Sequence, residues 1–226
     1  MHIHYAQFQD RTEAGQQLAA QLKSYANRSD VLVLGLPRGG VPVAYEVARA
    51  LNAPLDICLV RKLGVPGHQE LAMGAIASGG VRVLNYDVIS RLGISSKTID
   101  AVAAKELKEL QHRDRMYRGD RSPSEIRDRT VILVDDGIAT GSTIRAAISV
   151  LKPQQPAQLI VAIPVAPPST CDQLSQAVDE VICLFKPEAL YAIGIWYEDF
   201  SQTTDATVRT LLTQPTMTYQ NSFVSV

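Results

Sequence analysis

Apolar residues run continuously over short stretches of this chain, and polar or glycine-rich segments separate those stretches. The run VLVLG at residues 31–35 is typical, because continuous β-branched and leucine residues favour a strand that is buried on both faces. By the same pattern we predict strands at 31–35, 56–60, 81–85, 131–135, 159–165 and 180–185.

Helical periodicity fills the intervals between these runs. Asp10 and Glu13 have the spacing of a capping box, and Ala14, Leu18 and Leu22 follow at helical period, so a first helix is predicted over 11–25. A long helix should begin after Ser95 or Ser96. In all, helices are predicted at about 11–25, 43–51, 96–117, 143–151, 169–177 and 205–212.

The order of these elements predicts the fold class. Strand, turn and helix alternate at least four times, and such alternation indicates an α/β protein with a parallel twisted sheet and helices on both faces. We expect a single domain over 1–226, with a core at about 27–186. A small C-terminal hood at about 187–226 should join the N-terminal helix at 10–25.

Composition limits the partners. Of 226 residues, 46% are hydrophobic, and the net charge of −1 provides no broad basic field for nucleic acid. No apolar run approaches the roughly 20 residues of a membrane span. The N-terminus lacks the pattern of a signal peptide, and three cysteines without a CxxC pair are typical of reduced thiols. We therefore expect a cytoplasmic protein that binds neither nucleic acid nor membrane.

The stretch VILVDDGIATGST at 131–143 carries the clearest candidate site. Asp135 and Asp136 end a strand, and parallel sheets place ligand sites at that edge. The following loop, with glycines and three hydroxyl residues, wraps a helix N-terminus, where backbone N–H groups attract a phosphate. Carboxylates repel phosphate, so the two acids should serve the hydroxyls of a sugar or a hard cation such as Mg²⁺.

Two other interpretations of this stretch are weaker. The acids could merely cap the helix, although one aspartate would be enough for that. The loop is not a Walker loop, because it lacks both the GxxxxGK[ST] spacing and a lysine.

The same stretch resembles the phosphoribosyl-pyrophosphate (PRPP) motif of the type I phosphoribosyltransferases, whose fold is Rossmann-like. The resemblance implies that Asp135 and Asp136 hold the ribose 2′- and 3′-hydroxyls, in part through Mg²⁺. It also implies that the loop cradles the 5′-phosphate. The implied phosphate-binding residues are Gly137, Ala139, Thr140, Gly141, Ser142 and Thr143.

The resemblance also assigns a pyrophosphate loop to GLPRGG at 35–40. Arg38 would supply charge, Gly39 and Gly40 would let backbone amides approach the diphosphate, and Pro37–Arg38 is the expected cis peptide of this loop. Arg61 and Lys62 would add cations. The alternatives are an ordinary glycine turn for the first segment and a solvated strand edge for the second.

Two further segments match parts of the family. LGVPGHQELAMGAIASGG at 63–80 matches the flexible loop that closes over the site, with Glu70 as a catalytic candidate and His68 as a weaker one. LYAIGIWYEDF at 190–200 resembles the base-binding hood of the 6-oxopurine branch. Its candidate base-binding residues are Tyr191, Trp196 and Glu198, with Gly194 in the matching glycine place; alternatively, the aromatic residues only pack the hood onto the sheet.

We therefore expect an Mg²⁺-dependent phosphoribosyltransferase that acts on PRPP and a small nitrogenous acceptor, with a nucleobase as the expected class, and that forms a homodimer. The alternatives are a regulator that binds PRPP or a nucleotide without catalysis, and a hydrolase of PRPP or nucleotides. Ala139 stands where the 6-oxopurine branch has an aspartate, so hypoxanthine and guanine should be poor acceptors. The DR-x-EAG stretch from Asp10 is shared with a less characterised bacterial subgroup.

Overall fold

A computed structural model describes residues 6–217 of the chain, except for the side chains of Gln69 and Glu70. Its strands are β1 Val31–Gly35, β2 Leu55–Ile57, β3 Val60–Val65, β4 His68–Ala77, β5 Arg82–Leu84, β6 Thr130–Val134, β7 Gln158–Val165 and β8 Glu180–Phe185. The main sheet has five parallel strands in the order β2-β1-β6-β7-β8. A second sheet has three antiparallel strands in the order β3-β4-β5.

Seven α-helices accompany the strands within the described residues. They are α1 Arg11–Gln21, α2 Gly40–Leu51, α3 Tyr86–Leu92, α4 Ser96–Arg118, α5 Ser142–Leu151, α6 Pro168–Ser175 and α7 Asp205–Thr213. Short 3₁₀ turns lie at Lys23–Tyr25, Ser78–Gly80, Lys152–Gln154 and Ile193–Trp196. Among the described helices, none combines the length and the apolar character that crossing a membrane would require.

Helices cover both faces of the main sheet, as the alternation of elements predicted. On one face, Leu18 of α1 and Val47 of α2 pack with Val33 and Ile132. On the other face, Ile148 of α5 and Leu174 of α6 pack against alternate residues of the same strands. The predicted α/β fold class is confirmed.

The segment at 63–80, which was predicted as a flexible loop, lies mostly in two antiparallel strands. It forms the β3–β4 hairpin, which turns at Gly67 in a left-handed conformation and buries Leu63, Val65 and Met73. The register shifts around Gly64, so the alternation that reveals a strand is interrupted in the sequence. Gly74 is required inside β4, because a Cβ there would lie 2.4 Å from the Val83 carbonyl oxygen.

The structure differs from the sequence prediction at one further strand and at one helix. The predicted strand at 56–60 is divided, since β2 ends at Ile57 and Val60 already belongs to the antiparallel sheet. The α3 helix was not predicted; Asn85 caps it by accepting a 3.2 Å hydrogen bond from the N–H of Val88.

The segment predicted as one hood contributes to two separate hydrophobic clusters. Trp196 and Tyr197 pack with Phe8 and Val165 beyond the ends of β7 and β8. Helix α7 packs elsewhere, because its Val208 shares a cluster with residues of α4 and of the β3–β4 hairpin. Residues 8 and 197 also form a parallel backbone bridge, which joins the N-terminal segment to the C-terminal one.

Candidate active site

The acidic pair lies at the carboxyl end of β6. All five residues of β6 are buried, and Asp135 and Asp136 follow directly. The backbone N–H of Asp136 donates a 2.9 Å hydrogen bond to Oδ1 of Asp135, which fixes the Asp135 side chain against the main chain. Burial, followed by the charge of Asp136, raises the pKa of Asp135 well above the usual range of a carboxyl group. This pair would be stabilised by a cation or by hydrogen-bond donors.

Asp136 has two partners that come from opposite ends of the chain. Nε of Arg11, the first residue of α1, donates to Oδ2 of Asp136 over 2.8 Å. The hydroxyl of Tyr197 donates to the backbone carbonyl oxygen of Asp136 over 2.5 Å. Neither contact was predicted from the sequence, in which Tyr197 was expected only as additional aromatic surface of the hood. Arg11 does belong to the DR-x-EAG stretch, which was the available signal.

The glycines of the predicted pyrophosphate loop are needed to accommodate this acidic pair. A Cβ on Gly39 would lie 2.0 Å from Oδ2 of Asp136, and one on Gly40 would lie 2.8 Å from Cα of Asp135. The Pro37–Arg38 peptide bond is cis, which confirms the prediction for this bond. The loop at 36–40 therefore lies directly against Asp135 and Asp136.

The predicted phosphate loop surrounds the beginning of α5. Gly137 is buried against Ile193, and Gly141 has a left-handed φ of 74° under the guanidinium of Arg145. Ala139, Thr140, Ser142 and Thr143 are exposed. The loop therefore presents small and hydroxyl side chains to solvent at a helix N-terminus.

Two neighbouring side chains hold the backbone of this loop. The Thr170 hydroxyl donates to the carbonyl oxygen of Ala139 over 3.2 Å, and the Arg145 guanidinium donates to the carbonyl oxygen of Thr140. Arg145 also donates to the side chain of Gln173. Arg145 is a cation beside the predicted phosphate site, and no pattern in the sequence indicated this position.

Arg61 and Lys62, the cations predicted to bind pyrophosphate, line the same cleft as the phosphate loop. A cavity of about 380 Å³ is lined by both Arg61 and Lys62 and by both Ser142 and Thr143. Nε of Arg61 is 2.7 Å from Oε2 of Glu106, which lines the same cavity. A smaller crevice beside it is lined by Pro37, Arg61 and Thr143, and brings the 36–40 loop to the same place.

Arg38 lies farther toward α7. Its nearest acidic partner is Asp205, with 3.9 Å between the guanidinium nitrogen and Oδ1. The Asp205 carboxylate also accepts a 2.6 Å hydrogen bond from the hydroxyl of Tyr117. Arg38 is about one-third exposed, so its guanidinium is accessible to a ligand.

The predicted base-binding residues occupy different environments. Tyr191 is 81% exposed and Glu198 is exposed, so both are accessible to a ligand. Trp196 is 9% exposed and its ring packs against Phe185, with the centroids 5.8 Å apart. The structure therefore favours the packing interpretation for Trp196 over stacking on a base.

Of the two titratable residues predicted in the 63–80 segment, His68 is exposed at the beginning of β4. The side chain of Glu70 lies outside the described part of the structure, although its backbone belongs to β4.

The carboxylates of Asp135 and Asp136 fit a magnesium ion whose remaining ligands come from a substrate and from water. Among the residues that the structure describes, no group of three or more His, Cys, Asp or Glu side chains could hold a metal by itself. Mg²⁺ commonly takes one or two carboxylates and completes its shell with water and substrate phosphates. Two adjacent carboxylates beside a phosphate-type loop match that arrangement.

Comparison with known proteins shows the relationship of the chain. Residues 4–186 match the phosphoribosyl transferase domain family. A Mycobacterium tuberculosis protein named "Putative phosphoribosyl transferase" is 46% identical over 198 residues, which are 88% of this chain and 44% of that protein. The chain therefore spans less than half the length of this relative.

Solved structures share the fold of this chain. The crystal structure of TT1426 from Thermus thermophilus has a TM-score of 0.83 and 40% identity, and covers 91% of this chain and 97% of that one. The AQ2163 protein of Aquifex aeolicus has a TM-score of 0.50 and 13% identity, covering 81% of this chain and 76% of that one, which shows a shared fold alone.

Proposed function

The chain belongs to the phosphoribosyl transferase family, and on that premise we propose that it transfers the 5-phosphoribosyl group of PRPP to a nitrogenous acceptor and releases pyrophosphate. The observation that carries the proposal is the single cleft in which Arg61 and Lys62 face the hydroxyl residues Ser142 and Thr143. The acidic pair belongs to the same loop, directly before these hydroxyls in the chain. Cations, hydroxyl donors and carboxylates are the groups that a diphosphate, a phosphate and a ribose require.

Each part of PRPP has an assigned partner in this proposal. The loop at 137–143 binds the 5′-phosphate through backbone N–H groups and the hydroxyls of Thr140, Ser142 and Thr143. Asp135 and Asp136 accept from the ribose hydroxyls. The diphosphate lies toward Arg38, Arg61 and Lys62. The exposed Tyr191 and Glu198 are the residues offered to the acceptor.

The reaction is a substitution at the anomeric carbon. A nitrogen lone pair of the acceptor forms the new bond to that carbon, the bond to the pyrophosphate oxygen breaks, and the acceptor nitrogen loses its proton. Positive charge develops on the sugar and negative charge on the leaving diphosphate, so catalysis depends on positioning and on charge stabilisation. Arg38, Arg61 and Lys62 stabilise the leaving group. Mg²⁺, held by Asp135 and Asp136 together with the substrate, would neutralise further diphosphate charge.

The loop residue Ala139 constrains how the acceptor can lose its proton. Ala139 is exposed beside the proposed ribose site, and its side chain can neither accept nor donate a proton. A base for the acceptor must therefore come from elsewhere. Glu70 and Glu198 are the proposed candidates. A homodimer, a cytoplasmic location and a role in nucleotide metabolism are further predictions from the family resemblance.

The test is to incubate the protein with PRPP, Mg²⁺ and single acceptors from a panel of nucleobases and amines. Transfer predicts pyrophosphate in amounts equal to a new nucleotide product, and only when an acceptor is present. Free ribose 5-phosphate without an acceptor would instead show a hydrolase. PRPP binding without turnover on any acceptor would favour the regulator.

A further inference from the structure

We propose that Arg11 and Tyr197 are positioning residues for the reaction: together they fix the orientation in which Asp136 meets the ribose of PRPP. The inference rests on the proposed function for the role of Asp136. The contacts themselves do not depend on it, since both residues hydrogen-bond to Asp136 in the structure. Arg11 contacts the carboxylate of Asp136, and Tyr197 contacts its main-chain carbonyl oxygen.

Arg11 is itself rigidly held. It begins α1 immediately after Asp10, whose side chain caps the helix by accepting a 2.9 Å hydrogen bond from the N–H of Glu13. Its terminal guanidinium nitrogen donates to the carbonyl oxygen of Ser201 over 2.7 Å. The guanidinium carbon lies 4.0 Å from the centroid of the Phe200 ring. These contacts leave Nε directed at Asp136.

The Arg11–Asp136 ion pair is largely enclosed by the protein. The two side chains are 12% and 13% exposed. Water screens such a pair less than it screens an exposed one, so the geometry of the pair is more strongly determined. A planar guanidinium can donate to Asp136 and to Ser201 at once, while a lysine ammonium has no such fixed fork.

Tyr197 fixes the main chain of Asp136. Its ring is buried, with centroids 5.2 Å from Phe8 and 5.0 Å from Phe200. The hydroxyl of Tyr197 donates over 2.5 Å to the backbone carbonyl oxygen of Asp136. Tyr197 therefore holds the main chain of Asp136, the residue that directly precedes the phosphate loop.

These contacts leave the two carboxylate oxygens of Asp136 with different roles. Arg11 donates to Oδ2 of Asp136, which is the carboxylate oxygen nearer to Gly39. Oδ1 of Asp136 is therefore the oxygen offered to a sugar hydroxyl. The orientation is set before the ligand arrives, which lowers the entropic cost of forming the correct contact. The first helix and the segment after Phe185 thus both act on the sugar site.

The chain offers matched controls at the opposite edge of the sheet. Arg28 pairs with Asp30 at 2.6 Å, and its guanidinium carbon lies 5.4 Å from the centroid of the Tyr25 ring. These contacts correspond to those of Arg11 with Asp136 and with Phe200. The Tyr25 hydroxyl donates to Glu180 over 2.6 Å. Arg28→Gln and Tyr25→Phe therefore remove contacts of the same kind, at more exposed positions, far from the acidic pair.

The experiment compares Arg11→Gln, Arg11→Lys and Tyr197→Phe with these controls. We expect Arg11→Gln to lower kcat/KM for PRPP by about 10–100-fold, as loss of a partner that orients a ligating carboxylate usually does. Arg11→Lys should recover part of this loss. Tyr197→Phe, which removes a single oxygen atom, should lower kcat/KM more than Tyr25→Phe. KM for the acceptor should stay unchanged in all variants.

A crystal structure of unliganded Arg11→Gln supplies a test without turnover, and it should show the Asp136 carboxylate in a different rotamer. Kinetic constants like those of the matched controls, with Asp136 unmoved, would overturn the inference. Wild-type protein that neither binds nor consumes PRPP would instead refute the proposed function, and the rotamer of Asp136 would still report on the positioning contact.

Discussion

Arg61 and Glu106 form an ion pair inside the cleft that we assign to the diphosphate, with 2.7 Å between Nε and Oε2. Glu106 lies on α4, and its side chain is 15% exposed while that of Arg61 is 37% exposed. The carboxylate therefore neutralises a cation that the proposed ligand needs. A diphosphate that enters the cleft must compete with Glu106 for Arg61.

Removing this competitor should strengthen binding of the leaving group. We predict that Glu106→Gln raises the affinity for pyrophosphate with Mg²⁺ by up to about fivefold, because a partly exposed ion pair contributes up to roughly 1 kcal/mol. Titration calorimetry with pyrophosphate measures the change. Asp100→Asn is the control, since Asp100 lies on the same helix as Glu106 and pairs with Arg82 of β5 at 2.8 Å. Weaker binding in Glu106→Gln would show that Glu106 orients Arg61 instead.

The main sheet was predictable because its information is local. The runs at 31–35, 131–134 and 159–165 are continuous and apolar, and each belongs to a buried central strand. The loop after β6 was equally visible, since two acids, two glycines and three hydroxyls lie within nine consecutive residues.

The contacts that the sequence did not reveal are long-range ones. Arg11 and Asp136 are separated by 125 positions, and Tyr197 and Asp136 by 61. No spacing rule joins such residues before the chain is folded. The β3–β4 hairpin was missed for a different reason, because the register shift at Gly64 interrupts the alternation by which a strand is recognised.

Arg118 should be the most important charged residue for stability that is far from the acidic pair. It is 4% exposed at the end of α4, and it donates to Asp56 over 2.8 Å and to the carbonyl oxygen of Ile57 over 2.6 Å. Arg118→Met leaves the carboxylate of Asp56 buried without its cation. We predict a loss of about 3–5 kcal/mol in the free energy of unfolding.

Urea unfolding of Arg118→Met measures this loss, and Arg82→Met is the matched control. Arg82 pairs with an Asp100 side chain that is 65% exposed, so its removal should cost less than about 1 kcal/mol. Equal unfolding free energies for the two variants would contradict the role given to the buried pair.

Acceptor preference should follow from Ala139. Since this side chain cannot exchange a proton with a purine, we predict that hypoxanthine and guanine are poor acceptors. Steady-state rates with hypoxanthine, guanine, adenine, uracil and orotate test the prediction. A kcat/KM for hypoxanthine or guanine above roughly 10⁴ M⁻¹s⁻¹, a value typical of native substrates, would overturn it.

The central claim is that Asp135, Asp136 and the loop at 137–143 bind PRPP, and titration calorimetry of PRPP with Mg²⁺ tests it most directly. We predict saturable binding to the wild-type protein with a Kd between about 1 μM and 1 mM, the range of ordinary substrates. A variant with both Asp135→Asn and Asp136→Asn should bind at least about tenfold more weakly, because neutral amides hold neither Mg²⁺ nor the ribose hydroxyls as carboxylates do. Asp30→Asn, at the opposite edge of the sheet, should bind like the wild type. Equal PRPP affinity in the double variant and the wild type, or no binding to the wild type, would contradict the account.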